Sequence, residues 1–216
     1  KFVDLTKSPV PSYDFLKNKN YFKNPKYFYN LIPVQVSRGC PHNCEFCLVT
    51  KCYGNKFRKK TIEQVTLEIN KIKECFPGKT IMFADDNLFI DRKYARELMI
   101  LLKELRIRWV AQSDISIGEH EDLIKLAYES GGLFLLIGFE SINPENLKTM
   151  NNNSWKCKQL ANYPINIERI QTHGIIVFGS FIFGLDNDDK NVFNDVVQFM
   201  DENNIAYSVL GRAGVV

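Results

Sequence analysis

Apolar residues in this chain gather into short runs, separated by longer stretches where they recur at helical spacing. Six runs read as strands: residues 32–36, 80–84, 108–112, 133–138, 174–183 and 206–210. Several are continuously apolar rather than alternating, the pattern of parallel strands covered on both faces. The intervening stretches read as helices with recognisable ends. Thr61-Ile62-Glu63-Gln64 has the form of a capping box, and the helix it opens runs to Cys75 and stops before Pro77-Gly78. Asp91 opens the next helix, which ends near Leu105, and a third covers residues 119–130, closed by Gly131-Gly132. Asn143-Pro144 starts a short helix ending near Met150. A longer one spans residues 155–172, where Pro164 is expected to kink or divide it, and the last spans residues 189–203.

Strands alternating with helices predict an α/β fold with a parallel sheet. Six strands at intervals of roughly 30 residues correspond to successive βα units. The count fits a six-strand partial barrel, a TIM-like (β/α)6 arrangement, better than a closed barrel of eight. In such folds ligands collect at the carboxyl ends of the strands. Residues 1–30, rich in aromatics, Pro, Lys and Asn, lack a sustained period and read as a lead-in or linker that drapes over the domain or joins it to an upstream one. The core domain is expected over residues 31–216. Because the chain opens on Lys1 and stops soon after the last strand, it reads as a fragment of a longer protein.

Composition narrows the class without naming it. The 216 residues suffice for one domain with a real core, and 45% hydrophobic with 25% charged residues is ordinary for a soluble protein. A formal charge of +3, spread along the chain, gives no reason to expect nucleic acid as a partner. The main basic run, Lys56 to Lys60, is interrupted by Phe57 and reads as a solvated turn before a helix. The apolar stretch 174–185 is too short to span a bilayer, and the N-terminus has no signal-peptide pattern.

The candidate chemistry lies just after the first strand, in Ser37-Arg38-Gly39-Cys40-Pro41-His42-Asn43-Cys44-Glu45-Phe46-Cys47. Three thiolates can hold three corners of a cubic iron–sulfur cluster and leave the fourth iron open to a small molecule. Zinc is the alternative, with Cys52 or His42 completing the set, but structural zinc sites draw ligands as two separated pairs and there is no second Cys-x2-Cys here. A disulfide framework needs a secreted, core-poor chain. The Cys-x3-Cys-x2-Cys spacing closely resembles the cluster loop of radical S-adenosylmethionine (SAM) enzymes. The resemblance continues in Tyr53-Gly54 to Ile69, Phe83-Ala84-Asp85-Asp86-Asn87, Ile137-Gly138-Phe139-Glu140-Ser141 and Phe181-Ile182-Phe183-Gly184-Leu185-Asp186, and is nearest to the radical SAM domain of cobalamin-dependent members. Asn151-Asn152-Asn153 departs from the lysine often found after the methionine in that family, and residues 211–216 do not continue its usual pattern.

The resemblance implies a 4Fe–4S cluster on Cys40, Cys44 and Cys47, with Phe46 packing near the adenine of SAM. Asp85, Asp86 and Asn87 follow the second strand, where acceptors can take the ammonium of SAM; otherwise they form a turn and helix cap. Gln112, Ser113 and Asp114 end the third strand and can hydrogen-bond SAM or substrate. Glu140 ends the fourth, and its segment resembles the one that contacts the ribose, whose two hydroxyls a carboxylate can accept. The segment His173 to Gly179 resembles the family's fifth-strand motif, which sets Ile175 against adenine. His173 and His120 read as structural, Cys75 and Cys157 as helix thiols. Asp186, Asp188 and Asp189 lack the glycine and terminal glutamate of a calcium loop.

The implied reaction is reductive cleavage of SAM to methionine and a 5′-deoxyadenosyl radical that abstracts hydrogen from a small-molecule substrate, fed by a one-electron reductant such as flavodoxin or ferredoxin. With cobalamin on an upstream domain, absent here, a second step can be methyl transfer to an unactivated carbon. A methylthiotransferase-type radical SAM enzyme and a non-catalytic zinc-stabilised binding module are the alternatives. An oxygen-sensitive cluster beside unpaired cysteines points to a reducing cytoplasm.

Overall fold

The computed structural model describes residues 2–13, 31–150 and 152–213. Along the chain these begin with β1 (Leu31–Val34), β2 (Ser37–Arg38), α1 (Val49–Tyr53), β3 (Arg58–Lys59) and α2 (Ile62–Cys75). They continue with β4 (Thr80–Phe83), α3 (Arg92–Leu105), β5 (Trp109–Ser113), α4 (Glu121–Glu129), β6 (Gly132–Glu140) and α5 (Pro144–Thr149). The last are α6 (Trp155–Gln159), α7 (Tyr163–Thr172), β7 (Ile176–Phe183), α8 (Val192–Glu202) and β8 (Tyr207–Arg212). One sheet runs in the order β1-β4-β5-β6-β7-β8 with every neighbouring pair parallel, a six-strand half-barrel of the expected kind.

Local signals and observed boundaries agree where the controlling contact is local. Thr61 and Gln64 exchange both bonds of the capping box, and Asp91 accepts from the Tyr94 N–H to cap α3. Pro164 divides rather than bends: α6 ends in a 3-10 turn, Leu160–Asn162, and α7 begins with the proline in its first turn, where its missing N–H costs nothing. The last helix starts at Val192, later than the expected residue 189. β1 stops at Val34 rather than residue 36, because the Val36 N–H is taken by the Asp85 carboxylate instead of by a neighbouring strand.

The basic run is a correction. Lys56 to Lys60 is not a solvated turn: Arg58–Lys59 pairs antiparallel with Ser37–Arg38 as a separate two-stranded ribbon. Lys60 reaches Glu68 at 2.6 Å with both side chains largely buried, and the Arg58 guanidinium lies 4.8 Å over the Phe2 ring. Lys59 pairs with Asp91 at the start of α3, so the run ties the ribbon to α2, α3 and the chain start, with Lys56 exposed.

Of the lead-in, residues 14–30 lie outside the described residues. Leu5 is buried, Gln64 donates to the Leu5 and Ser8 carbonyls, and the Tyr13 hydroxyl donates to Glu68 at 3.1 Å. Within the domain, Trp109 is fully buried against Phe83 and Phe89, and its indole N–H donates to Ser130. Phe139, Tyr163, Phe181 and Phe199 form a second aromatic block between β6, β7 and the helices over them. Each such ring contributes about 2–3 kcal/mol relative to exposure. Among the described residues no helix is long and apolar enough to cross a membrane.

Candidate active site

A cavity of about 270 Å³ opens at the carboxyl ends of the strands, and Cys40, Cys44 and Cys47 line it together. The loop that carries them is held from below. Asp85, directly after β4, is fully buried and accepts from the Val36 N–H at 3.1 Å and from both the N–H and hydroxyl of Ser37. Gly39 turns the chain at φ +90°, where a Cβ would stand 2.4 Å from the Lys56 carbonyl oxygen, so only glycine fits between the ribbon and the first cysteine. The far end of the loop is tied by Glu45 N–H to the Met150 carbonyl and by Cys47 N–H to that of Cys44, both at 3.0 Å.

The site is polar on the opposite wall. Asp86, Asn87, Gln112, Ser113, Asp114 and Glu140 all line the same cavity, with Phe46 beside the cysteines. Asp85 does not: it faces the loop backbone. Ile175 corrects the sequence expectation outright. It is 1% exposed in the core, one residue before the amino end of β7, whereas β7 contributes Ser180 to the cavity. Cys52 is exposed on α1 and, like Cys75 and Cys157, does not line the cavity.

Burial dominates the electrostatics. It pushes the Cys40 thiol up to about 11, with the neighbouring Cys44, Cys47 and Asp86 adding to the rise and a backbone hydrogen bond at His42 opposing it. Cys44 is also raised by burial, while Lys156 acts in the other direction. Burial raises the Asp85 carboxyl to about 7 despite the Ser37 and Val36 hydrogen bonds. Asp86 is raised too, against a hydrogen bond from the Gly39 backbone, and its Oδ2 is buried with no hydrogen-bond partner among the described residues. Asp114 goes the other way. Burial alone would raise it, but hydrogen bonds from His42 and Ser116 and the Arg92 charge prevail and hold it below the usual carboxylate range. Its Oδ2 accepts from Asn87 Nδ2 at 2.6 Å and lies 3.4 Å from His42 Nε2.

Sequence reasoning missed Lys156 and Trp155 as cavity residues. Asn153 and Ser154, both left-handed, turn the chain after α5 so that α6 starts over the cavity. Lys156 is 6% exposed and donates to Glu140 Oε1 at 3.0 Å and to the Gly138 carbonyl at 2.7 Å. Trp155 stacks on His42 with centroids 5.1 Å apart. The one available signal was a lysine six residues past Met150, displaced by the asparagine run. Glu140 itself is aimed by a β-bulge: Gly138 pairs with Ser180 and Glu140 with Phe181, and the extra residue leaves Glu140 at φ +65°.

Residues 34–200 match the family described as the Radical SAM superfamily. The chain belongs to that superfamily. Radical SAM membership implies a 4Fe–4S cluster and SAM as cofactors. The residues present fit them: three free thiols line one cavity, and Asp86, whose carboxylate has one buried oxygen without a partner among the described residues, lines it together with Glu140. A cubic cluster takes its cysteines at separate corners.

Bacteriochlorophyllide d C-12(1)-methyltransferase of Chlorobaculum tepidum is 33% identical over 207 residues, covering 95% of this chain and 44% of that protein. The fold matches the radical S-adenosylmethionine methyltransferase TsrM from Kitasatospora setae, solved with tryptophan substrate and a SAM analog, with a TM-score of 0.70 at 14% identity over 87% of this chain and 37% of that one. It also matches the cobalamin-dependent S-adenosylmethionine radical enzyme OxsB, solved with aqua-cobalamin and SAM, with a TM-score of 0.70 at 18% identity over 94% of this chain and 29% of that one. The chain thus spans less than half the length of these relatives.

Proposed function

We propose that this chain is the core of an enzyme that cleaves SAM reductively and transfers a methyl group to carbon in a small-molecule substrate, with cobalamin held elsewhere in the whole protein. The observation that carries the reading is the single cavity shared by Cys40, Cys44, Cys47, Asp86 and Glu140. The methyl-transfer step and the cobalamin rest on the relatives, a bacteriochlorophyllide methyltransferase foremost. Cys40, Cys44 and Cys47 would hold the 4Fe–4S cluster, which would supply the single electron for reductive cleavage of SAM.

The chain's residues divide the remaining work. Cys40, Cys44 and Cys47 hold the three cluster corners. Asp86, which lines the cavity and has a carboxylate oxygen without a partner among the described residues, accepts from the SAM ammonium, a charge-assisted bond that offsets the cost of burying the carboxylate. Glu140 accepts from the ribose hydroxyls, held in place by Lys156. Phe46 lines both this cavity and an adjoining one of about 160 Å³ with Met150 and Leu185, and gives the adenine an aromatic face. Asp114 is saturated by Asn87 and Ser116, so it acts by pinning His42 and with it the cysteine loop, while exposed Gln112 faces substrate. Val49 and Leu136 supply apolar wall that limits water at the reacting atoms. Residues 31–216 form the catalytic domain, and a one-electron reductant such as flavodoxin or ferredoxin serves it in a reducing cytoplasm.

Electron paramagnetic resonance tests the reading. After anaerobic reconstitution and reduction, a 4Fe–4S signal that changes on adding SAM is expected. Stoichiometric zinc without a cluster would overturn the reading, and a cluster signal indifferent to SAM would refute SAM ligation in this chain.

A further inference from the structure

The cysteine loop is flanked by two short elements, β2 before it and α1 after it, and one arginine joins both. Arg58 on β3 stands opposite Arg38, the residue before Gly39-Cys40. Its Nη2 donates to the carbonyl of Tyr53, the last residue of α1, and α1 follows closely on Cys47. Its Nη1 donates to the Val3 carbonyl at 3.0 Å, and its guanidinium carbon lies 4.8 Å from the centroid of the Phe2 ring. The same ring reaches the loop by a second route. A Cβ on Gly54 would stand 2.7 Å from Phe2 Cε2, and a Cβ on Gly39 would stand 3.0 Å from the Gly54 carbonyl oxygen. Phe2, Gly54 and Gly39 are therefore packed in series, with Cys40 next in the chain.

The segment that carries Phe2 is itself anchored. Leu5 is buried, the Asp4 carboxylate accepts from the Thr6 N–H at 3.0 Å, and the Gln64 amide ties the Leu5 and Ser8 carbonyls to α2. For the loop to swing away, Arg58 must give up a backbone carbonyl or Phe2 must leave Gly54. A charged donor on a carbonyl and a cation over an aromatic face both resist that. We infer that Phe2 and Arg58 are positioning residues of the cluster site, a latch from the N-terminal segment that holds both flanks of the cysteine loop. The cluster role rests on the ligation proposed above, whereas the order the latch imposes on the loop is present before any cluster binds.

Alkylation of the cluster-free 216-residue chain by iodoacetamide, read site by site by mass spectrometry, tests it. Cys75 and Cys157 are half-buried like Cys40, Cys44 and Cys47 but sit on α2 and α6, so they report general loosening. In Arg58→Met and in Phe2→Ala, the three loop thiols are expected to react about tenfold faster while Cys75 and Cys157 keep the parent rates. Arg58→Lys keeps a cation over Phe2 and should recover part of the protection, and Arg58→Met/Phe2→Ala should be no faster than Arg58→Met. After anaerobic reconstitution, a ferrous chelator should strip iron about tenfold faster from both single variants than from the parent. Loop thiols that keep the parent rates in both variants would overturn the inference, as would equal acceleration at Cys75 and Cys157. A parent that takes up no cluster would overturn the ligation proposed above and the cluster role with it. A parent that binds a cluster, with variants that lose iron no faster, would overturn the latch alone.

Discussion

Lys156 Nζ lies 3.0 Å from Glu140 Oε1, with the lysine side chain 8% and the glutamate 13% exposed. Burying two charges is costly, and their attraction repays that cost only while both are present. Lys156→Ala is therefore expected to destabilise by about 3–5 kcal/mol, because it strands a nearly buried carboxylate. Lys156→Met combined with Glu140→Gln should cost less than the sum of the two single changes. Urea denaturation of the parent, both singles and the double closes the cycle, and strict additivity would show that the pair is not coupled.

Gly138 leaves the room in which the Glu140 carboxylate sits. A Cβ at Gly138 would stand 2.5 Å from Glu140 Oε1, and the atom in the way is the far end of a flexible side chain. Gly138→Ala should swing Glu140 out of position and, by parting it from Lys156, lower the melting temperature by several degrees without preventing folding. SAM affinity measured by equilibrium dialysis of the reconstituted protein is expected to fall about tenfold, the worth of one charge-assisted hydrogen bond. Unchanged affinity would remove Glu140 from the SAM site.

What could be read from sequence was whatever depends on neighbours in the chain. The capping box at Thr61, the cap at Asp91 and the apolar runs of the six strands report local requirements, and the structure repeats them. The cysteine spacing, too, is local, and it led to the right family. Lys156 was hidden because nothing local marks a lysine for burial; its place depends on two left-handed residues turning α6 over the cavity. The basic run looks like a solvated turn for the same reason, since its partners, Ser37–Arg38 and Glu68, lie elsewhere in the chain. Ile175 is a different case. The family likeness set it against adenine, but a residue just before a parallel strand starts sits at the amino end, away from the ligands.

The cysteines make a prediction with internal controls. Substituting Cys40, Cys44 or Cys47 by alanine should abolish iron and acid-labile sulfide in the reconstituted protein. Cys52→Ala, Cys75→Ala and Cys157→Ala should leave both at the parent level, since none of the three lines the cavity. Loss of the cluster in Cys52→Ala would mean that the ligand set includes the residue five places past Cys47.

Asp85 ties stability to pH in an unusual direction. Its carboxyl is raised from 3.8 to about 7 by burial, so the folded protein holds this proton more tightly than the unfolded chain does. Its contribution is complete below about pH 4 and is lost as pH rises toward 7, with no further change above. Against this background most carboxylates behave oppositely, as Asp114 does: held low when folded, it stabilises at neutral pH and that contribution is lost in acid. The Asp85 share is isolated by comparison with Asp85→Asn, which cannot titrate. The stability difference between parent and Asp85→Asn should shift by about 2–4 kcal/mol between pH 4.5 and 8, the parent losing ground as pH rises. Asp85→Asn should also be less stable in acid, because its Oδ1 can serve only the Val36 N–H or the Ser37 donors and its N–H2 then faces the other. Urea titrations at four or five pH values measure both effects, and a difference that stays flat with pH would show that Asp85 titrates alike in the folded and unfolded chain.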